Sequence, residues 1–260
     1  MFPLETLTLL FNGLTLVLAL GFLIIVLWHD ATKEINQIFA IFLILVIVWN
    51  VGSFLSQIVL LVDVPPFIKQ LAVILNLVGY TGSVVGIYVL TTALIGALTR
   101  RFRLLALLSL FVIVSYQTFL IVNNPDIDTA FTQYPIGTLR PITLLFYLAF
   151  GGTTFYLAWR FRRKSSSAVL IAGIMLFVLG QSIGFLNPEL GIVSIATSVS
   201  ALGSLIISFS FLRLEIIQPL AERVSQVEAM HRVGLAITSQ IATDTVLSEI
   251  TLQATNWLDA

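Results

Sequence analysis

Long apolar stretches separated by short polar breaks make up most of the chain. Seven of these stretches hold no charged residue and no histidine: Thr6–Trp28, Ile38–Val62, Leu71–Leu98, Leu104–Val122, Ile142–Trp159, Ala168–Leu186 and Gly191–Leu212. A helix crosses a bilayer with about 20 apolar residues, whereas a barrel strand needs only about ten residues of alternating pattern. The pattern therefore predicts an all-α membrane protein, with a seven-transmembrane helix bundle over residues 1–212.

Positive charge is distributed unevenly among the polar breaks. The first, third and fifth breaks hold eight Lys or Arg residues: Lys33, Arg100, Arg101, Arg103, Arg160, Arg162, Arg163 and Lys164. The other breaks hold two, Lys69 and Arg140. Because Lys and Arg accumulate in cytoplasmic loops, we expect a multi-pass plasma-membrane protein with its N-terminus outside and its C-terminus inside. Residues 213–260, called the tail below, are then cytoplasmic and begin with a C-terminal helical linker.

Composition narrows the functions that the spans can perform. Of the 260 residues, 58% are hydrophobic and 10% are charged, against roughly 25% charged in soluble domains, so the lipid bilayer is the expected partner. Proton pumps, ion-coupled transporters and voltage sensors need ionisable groups at membrane depth, and the spans hold none. The chain also has no cysteine and no glycine motif for nucleotides. We expect no catalytic residue, cofactor, metal or nucleic-acid partner, and leave open whether the full-length protein is an enzyme.

Neutral polar and aromatic side chains remain inside the spans. They are Asn12, Trp49, Asn50, Gln57, Asn76, Tyr80, Tyr88, Tyr116, Gln117, Tyr147, Tyr156 and Gln181. Each polar group can make an interhelical hydrogen bond of about 0.6–2 kcal/mol. Alternatively, Trp49 and some of the others line a pocket for a small apolar or neutral ligand; Asn50, Gln57, Asn76, Tyr80, Tyr88, Tyr116 and Gln117 are the candidates. Spacing alone does not decide between these two interpretations.

Small residues recur at helical spacing in two spans. The third span has Gly82 and Gly86, and the seventh has Ser194, Thr197, Ala201, Ser204 and Ser208. Small residues three or four apart let helix backbones approach closely in a membrane. We therefore expect both sets to pack against other helices, within the bundle or across a dimer.

At the start of the tail the long apolar stretches give way to a mixture of polar and apolar residues. Pro219 is compatible with the first turn of a helix but not with its middle, which predicts a kink or restart at Gln218–Pro219. Leu220, Val224 and Val227 come next at coiled-coil spacing, which favours a linker over residues 213–232 that joins two copies as a homodimer. Pro219 and these three residues are the candidate signal relay. Further on, Asp244 is expected to cap a second helix.

The last segment, MHRVGLAITSQIATDTVLSEITLQATNWLDA (230–260), resembles the opening of a GAF domain. The arrangement of seven uncharged spans, a linker and this opening resembles the N-terminal sensor region of bacterial histidine kinases. Locally the resemblance rests on FAIFLILVIVWNVGSFL (39–55) and RLEIIQPLAERV (213–224). It implies that 233–260 begin a truncated GAF-like domain and that a kinase core lies further downstream in a dimeric two-component system.

The expected function is a membrane-embedded input module that passes a membrane or ligand signal through the seventh helix and the linker to a cytoplasmic output. Two alternatives stay open. The chain can be a passive transporter or a lipid-binding membrane protein, or the same sensor can be attached to a cyclase or a phosphatase. His231 is followed by Arg232, whereas an acidic residue normally follows the phosphorylated histidine of the family that the chain resembles, so we assign His231 to the linker.

Overall fold

The computed structural model describes residues 4–97, 99–123, 145–161, 168–186 and 190–258, and within them all regular secondary structure is helical. The helices are α1 (Leu4–Asp30), α2 (Glu34–Leu61), α3 (Pro66–Leu94), α4 (Arg100–Val122), α5 (145–161), α6 (Ala168–Leu186), α7 (Leu190–Leu212) and α8 (Gln218–Leu258). Five segments of the described chain are long and apolar enough to span a membrane, and Ala168–Ile183 is an apolar but shorter helix. The predicted all-α membrane protein is confirmed at this level.

The chain divides into two compact units, Met1–Leu212 and Arg213–Ala260. The first unit is called the bundle here, and the second is the tail. In the bundle, α2 packs most extensively on α3 and α6 on α7, so two antiparallel helix pairs form its framework. Helix α1 packs on α2 and α7, α4 packs on α3, and α5 lies on α3 and α6.

Glycines explain why α2 and α3 pair so closely. A Cβ added at Gly79 would lie 2.6 Å from Trp49 Cβ, and one added at Gly52 would lie 2.5 Å from Asn76 Cα. Real Cβ atoms do not approach other atoms so closely, so only glycine fits at these points. In α6 and α7, Gly173 and Gly203 play the same part, because a Cβ at Gly203 would lie 2.7 Å from Phe177 Cα.

Outer helices bury only narrow stripes. The buried residues of α4 are Ala106, Ile113, Gln117 and Ile121, and those of α1 include Asn12, Thr15, Ala19 and Val26. These positions are three, four or seven residues apart and share one face of their helix. The opposite faces carry exposed Leu, Val, Ile and Phe side chains. Such faces suit lipid contact rather than water, because soluble monomers rarely expose large contiguous apolar patches.

Polar contacts join helix ends at one end of the bundle. Arg103 Nη1 of α4 lies 2.6 Å from Glu34 Oε1 at the start of α2. Between α1 and α2, Asn36 Nδ2 donates to the Asp30 carbonyl at 2.8 Å and Gln37 Nε2 to the Ala31 carbonyl at 3.0 Å. The first and third polar breaks therefore meet.

The tail is helical, and many of its apolar side chains are exposed. A π-helical turn over Arg213–Ile217 is followed by α8, which begins at Gln218 and has Pro219 in its first turn. At the predicted kink or restart, Gln218–Pro219, the structure shows a change from π- to α-helical backbone within one continuous helix. Its cause is that Pro219 has no N–H to donate to the carbonyl four residues earlier.

The expected second helix start at Asp244 is wrong, because α8 runs unbroken to Leu258. Hydroxyl groups before this point, which could favour a turn, donate instead to carbonyls of their own helix: Thr238 to Gly234 at 2.8 Å and Thr243 to Ser239 at 2.6 Å. These hydroxyls therefore bond within the continuous helix rather than capping a new one.

Replacing Gly79 by alanine tests the α2–α3 contact. We expect Gly79→Ala to lower the free energy of unfolding by about 1–3 kcal/mol, because the new methyl group collides with the Trp49 backbone. Gly21→Ala in α1 is the control, since a Cβ there meets nothing within 4 Å, and we expect it to stabilise the bundle by up to about 1 kcal/mol. Reversible unfolding by sodium dodecyl sulfate in mixed micelles measures both; equal effects would contradict the close approach.

Candidate functional site

Aromatic rings meet where α2, α3, α5 and α6 come together. The Trp49 side chain is 4% exposed, and its ring centroid lies 5.6 Å from that of Tyr80 and 6.4 Å from that of Phe177. The Tyr80 ring in turn lies 5.1 Å from Tyr147. Trp49 can sit here because α3 offers Gly79 opposite its backbone. These four rings, with Ser83 and Gln181 described next, are called the central cluster.

Hydrogen bonds tie α3 to α6 within the central cluster. The Tyr80 hydroxyl donates to the backbone carbonyl of Gln181 at 2.6 Å. The Gln181 side-chain Nε2 donates to Ser83 Oγ at 2.7 Å, and Ser83 Oγ donates to the Tyr80 carbonyl at 2.8 Å. The bonds between the two helices join residues about 100 positions apart in the chain, so they fix how α6 is placed along α3.

Helix α5 reaches the cluster through a π-helical turn. It is α-helical at 145–147, π-helical over Leu148–Gly152 and α-helical again over Thr153–Phe161. Gly151 faces α3 and α6, where a Cβ would make ordinary van der Waals contact with Val178 at 3.6 Å and with Val84 at 4.0 Å. Single π-helical turns within α-helices are frequent at functional sites, and this one directly follows Tyr147.

A chain of ring contacts leads from the central cluster to the end of α7. Phe177 lies 5.6 Å from Phe42, and Phe42 lies 6.2 Å from Phe39. Phe39 stacks on Phe211 with centroids 3.9 Å apart and planes inclined by 20°. All four phenylalanine side chains are fully buried. The last ring belongs to the final turn of α7, two residues before Arg213.

The predicted pocket residues do not all assemble. Trp49 and Tyr80 belong to the central cluster, whereas Asn50 Nδ2 donates to the Val46 carbonyl of its own helix at 2.7 Å. Asn76 presents its backbone to Gly52. The side chain of Gln57 lies outside the described residues.

Three further candidates sit elsewhere in the bundle. The Tyr88 ring packs edge-on against Phe150 at 5.2 Å. Gln117 Oε1 accepts a hydrogen bond from Thr81 Oγ1 at 3.3 Å, which links α4 to α3. Tyr116 lines an open apolar groove of about 560 Å³ beside Phe146.

The small residues contribute to packing in different ways. Gly82 faces Leu45, and Gly86 faces Phe42 and Leu45. In α7, Ala201, Ser204 and Ser208 are buried, and both hydroxyls donate within the helix, to Ala201 and Ser204 carbonyls at 2.7 Å. Thr197 is half-buried, and the Ser194 side chain lies outside the described residues.

Sequence reasoning missed three members of this region: Gly79, Ser83 and Phe177. A glycine three residues before Gly82 extends the small-residue spacing and was a usable signal for Gly79. No local pattern marks Phe177 among the 19 phenylalanines, because its role depends on which helices are neighbours.

The candidate relay residues lie in the tail. Pro219 is half-buried, whereas the side chains of Leu220, Val224 and Val227 are 56%, 51% and 65% exposed.

The central cluster is uncharged throughout, so it can hold helices in register or receive a neutral group. It offers no nucleophile–base pair, and no group of three His, Asp or Glu side chains lies together in the described part of the chain. Comparisons with protein-family models, with curated proteins and with solved structures found no match to this chain.

Removing one hydroxyl tests the α3–α6 link. We expect Tyr80→Phe to destabilise the bundle by about 0.6–1.7 kcal/mol, because the buried Gln181 carbonyl loses its cross-helix donor. Tyr156→Phe is the matched control: that residue is more than half exposed, and its hydroxyl accepts only from Arg160 at 3.3 Å. Unfolding in mixed micelles should show little change for the control, and identical losses would count against the link.

Proposed function

We propose that the chain is the membrane-embedded input module of a signal-transduction protein, and that it relays a membrane or ligand signal through α7 and the tail to a cytoplasmic output. One observation carries the proposal: the last helix of the uncharged bundle is followed, through the Arg213–Ile217 turn, by the 41-residue helix α8 with exposed apolar side chains. A helix of this kind needs a partner outside the bundle. A two-component histidine kinase is the proposed full-length protein, with a GAF-like domain after the linker.

The proposal includes seven spans with the N-terminus outside and the C-terminus in the cytoplasm. Contacts within the bundle support it. The Glu34–Arg103 pair brings the first and third breaks together, and the Phe39–Phe211 stack places the start of α2 beside the end of α7. These are the ends that the Lys and Arg distribution assigns to the cytoplasm.

A homodimer through the tail is the second part of the proposal. Leu220, Val224 and Val227 are all at least half exposed and share one side of α8 by their 4,3 spacing. A second copy supplies the same apolar stripe, and pairing two such stripes buries them both in a parallel coiled coil. Glu222, Arg223, Gln226 and Glu228 would then remain in water.

The ring contacts from Trp49 to Phe211 give the proposed relay a physical basis. Packed cores change between discrete arrangements rather than deforming smoothly. A signal that alters the central cluster would therefore repack Phe39 against Phe211 and turn or shift the start of the tail. The shift is limited by the signal's differential affinity for the two arrangements.

Cysteine cross-linking tests the dimer, and the chain's lack of cysteine removes any background. We expect Val224→Cys and Val227→Cys to form disulfide-linked dimers in membranes under mild oxidation, because the paired stripe brings equivalent residues within disulfide reach. Gln226→Cys, about 200° around the helix from Val224, is the control and should cross-link far less. Equal cross-linking at all three positions, or none, would contradict the coiled coil.

Insertions after Arg213 test the relay, with the chain fused to a dimer-dependent kinase core. Each added residue turns the helix beyond it by about 100°, so two residues should depress kinase activity most and four residues least. A seven-residue insertion, almost two full turns, is the in-phase control and should retain activity. Activity indifferent to the number of inserted residues would instead support a passive transporter or lipid-binding protein.

A further inference from the structure

The two ends of the Gln181 side-chain amide differ in their hydrogen bonding. It is 2% exposed, in α6, and its Nε2 donates to Ser83 Oγ at 2.7 Å. Its Oε1 is buried and has no hydrogen-bond partner among the described residues. A buried carbonyl that has lost water and gained no donor is a costly arrangement, which persists where another group completes it.

The two hydroxyl groups that are hydrogen-bonded with Gln181 already donate to other acceptors. The Tyr80 hydroxyl donates to the Gln181 backbone carbonyl, and the Ser83 hydroxyl donates to the Tyr80 carbonyl. Turning the amide by 180° does not help, because Oε1 would then need the proton that Ser83 gives to Tyr80, and Nε2 would be left without an acceptor. In either orientation one end of this amide lacks a hydrogen-bond partner, which a bound molecule can supply.

The side chains around Gln181 determine which kind of molecule can bind there. Trp49, Tyr80 and Phe177 provide aromatic walls, and no carboxylate, ammonium or guanidinium group belongs to the central cluster. A charged guest would lose its hydration without a counter-charge and is therefore excluded. In the π-helical turn Leu148–Gly152, Gly151 faces Val178 and Val84.

We propose that Gln181 is the polar anchor of a binding site for a small uncharged molecule that carries one O–H or N–H donor on an apolar body. The donor completes Gln181 Oε1, and the body packs against the rings of the central cluster. This inference rests on the proposed function, whose signal it identifies by chemical class, but binding itself is measured without any output domain.

Trp49 serves as the reporter of binding. The full chain, with Trp28, Trp159 and Trp257 replaced by phenylalanine, is placed in lipid nanodiscs and titrated with cyclohexanol or with methylcyclohexane. The two probes have nearly the same shape and differ in the hydroxyl, and they are compared at equal mole fractions in the bilayer. We expect a saturable change of Trp49 emission, roughly five- to tenfold tighter for cyclohexanol, as one net hydrogen bond gives.

Gln181→Leu should abolish the preference for cyclohexanol, because the acceptor is gone. Gln117→Leu is the control: it removes a buried amide that is already paired with Thr81, and the preference should survive. Gln181→Met keeps the length of the side chain and replaces Gln181→Leu if that variant does not fold, as judged by thermal unfolding.

Equal responses to the two probes, or a preference that survives in the Gln181 variants, would overturn the proposal. So would a response that never saturates, which would mean that the probes only partition into the bilayer. If the protein with its native Gln181 prefers cyclohexanol but the kinase activity of the fusion is indifferent to insertions, the binding site stands and the relay is overturned. If that protein shows no preference but the kinase activity depends on the number of inserted residues, the relay stands and the binding site is overturned.

Discussion

Where α2 crosses α3, the backbone of one helix meets the other with no Cβ between them. Gly52 lies on Asn76, Gly79 on Trp49 and Gly86 on Phe42, so each step back along α2 is matched by a step forward along α3. Apolar side chains gain nothing by leaving lipid for protein, so helix association in a membrane depends on close packing and interhelical hydrogen bonds. This glycine-permitted contact is therefore what sets the positions of Trp49 and Tyr80.

The α6–α7 pair is also held by a close contact at a glycine, and it contributes Gln181 to the central cluster. Gly203 receives the Phe177 backbone, which aims the Phe177 ring at Trp49 from the opposite side. Four residues later along α6, Gln181 reaches Ser83 and receives the Tyr80 hydroxyl. The two pairs are thus joined by aromatic contact and directed hydrogen bonds. The Glu34–Arg103 ion pair lies at the exposed edge of the bundle.

Local features of the structure could be predicted from the sequence, and partnerships between distant segments could not. Apolar helices follow from hydropathy, and the change of helical backbone at Gln218–Pro219 follows from a missing N–H. The cap at Asp244 failed because propensity for a turn is weak beside the cooperativity of a continuous helix. The Asn50 side chain could donate a hydrogen bond to its own helix or to a neighbouring helix, and the sequence spacing does not distinguish these two possibilities. Gln181 and Ser83 are 98 residues apart, so their contact depends on helix order.

The proposed relay through an uncharged bundle depends on packed cores changing between discrete arrangements. Ring contacts run in series from Trp49 to Phe177, Phe42 and Phe39, and Phe39 stacks at 3.9 Å on Phe211, in the last turn of α7. In such a close-packed row a ring cannot change rotamer without its neighbour moving. The proposed relay requires a second stable packing of this row of rings. In the proposed relay, a molecule bound at Gln181 Oε1 would stabilise the packing in which the amide is fully hydrogen-bonded and would leave the other packing unaltered.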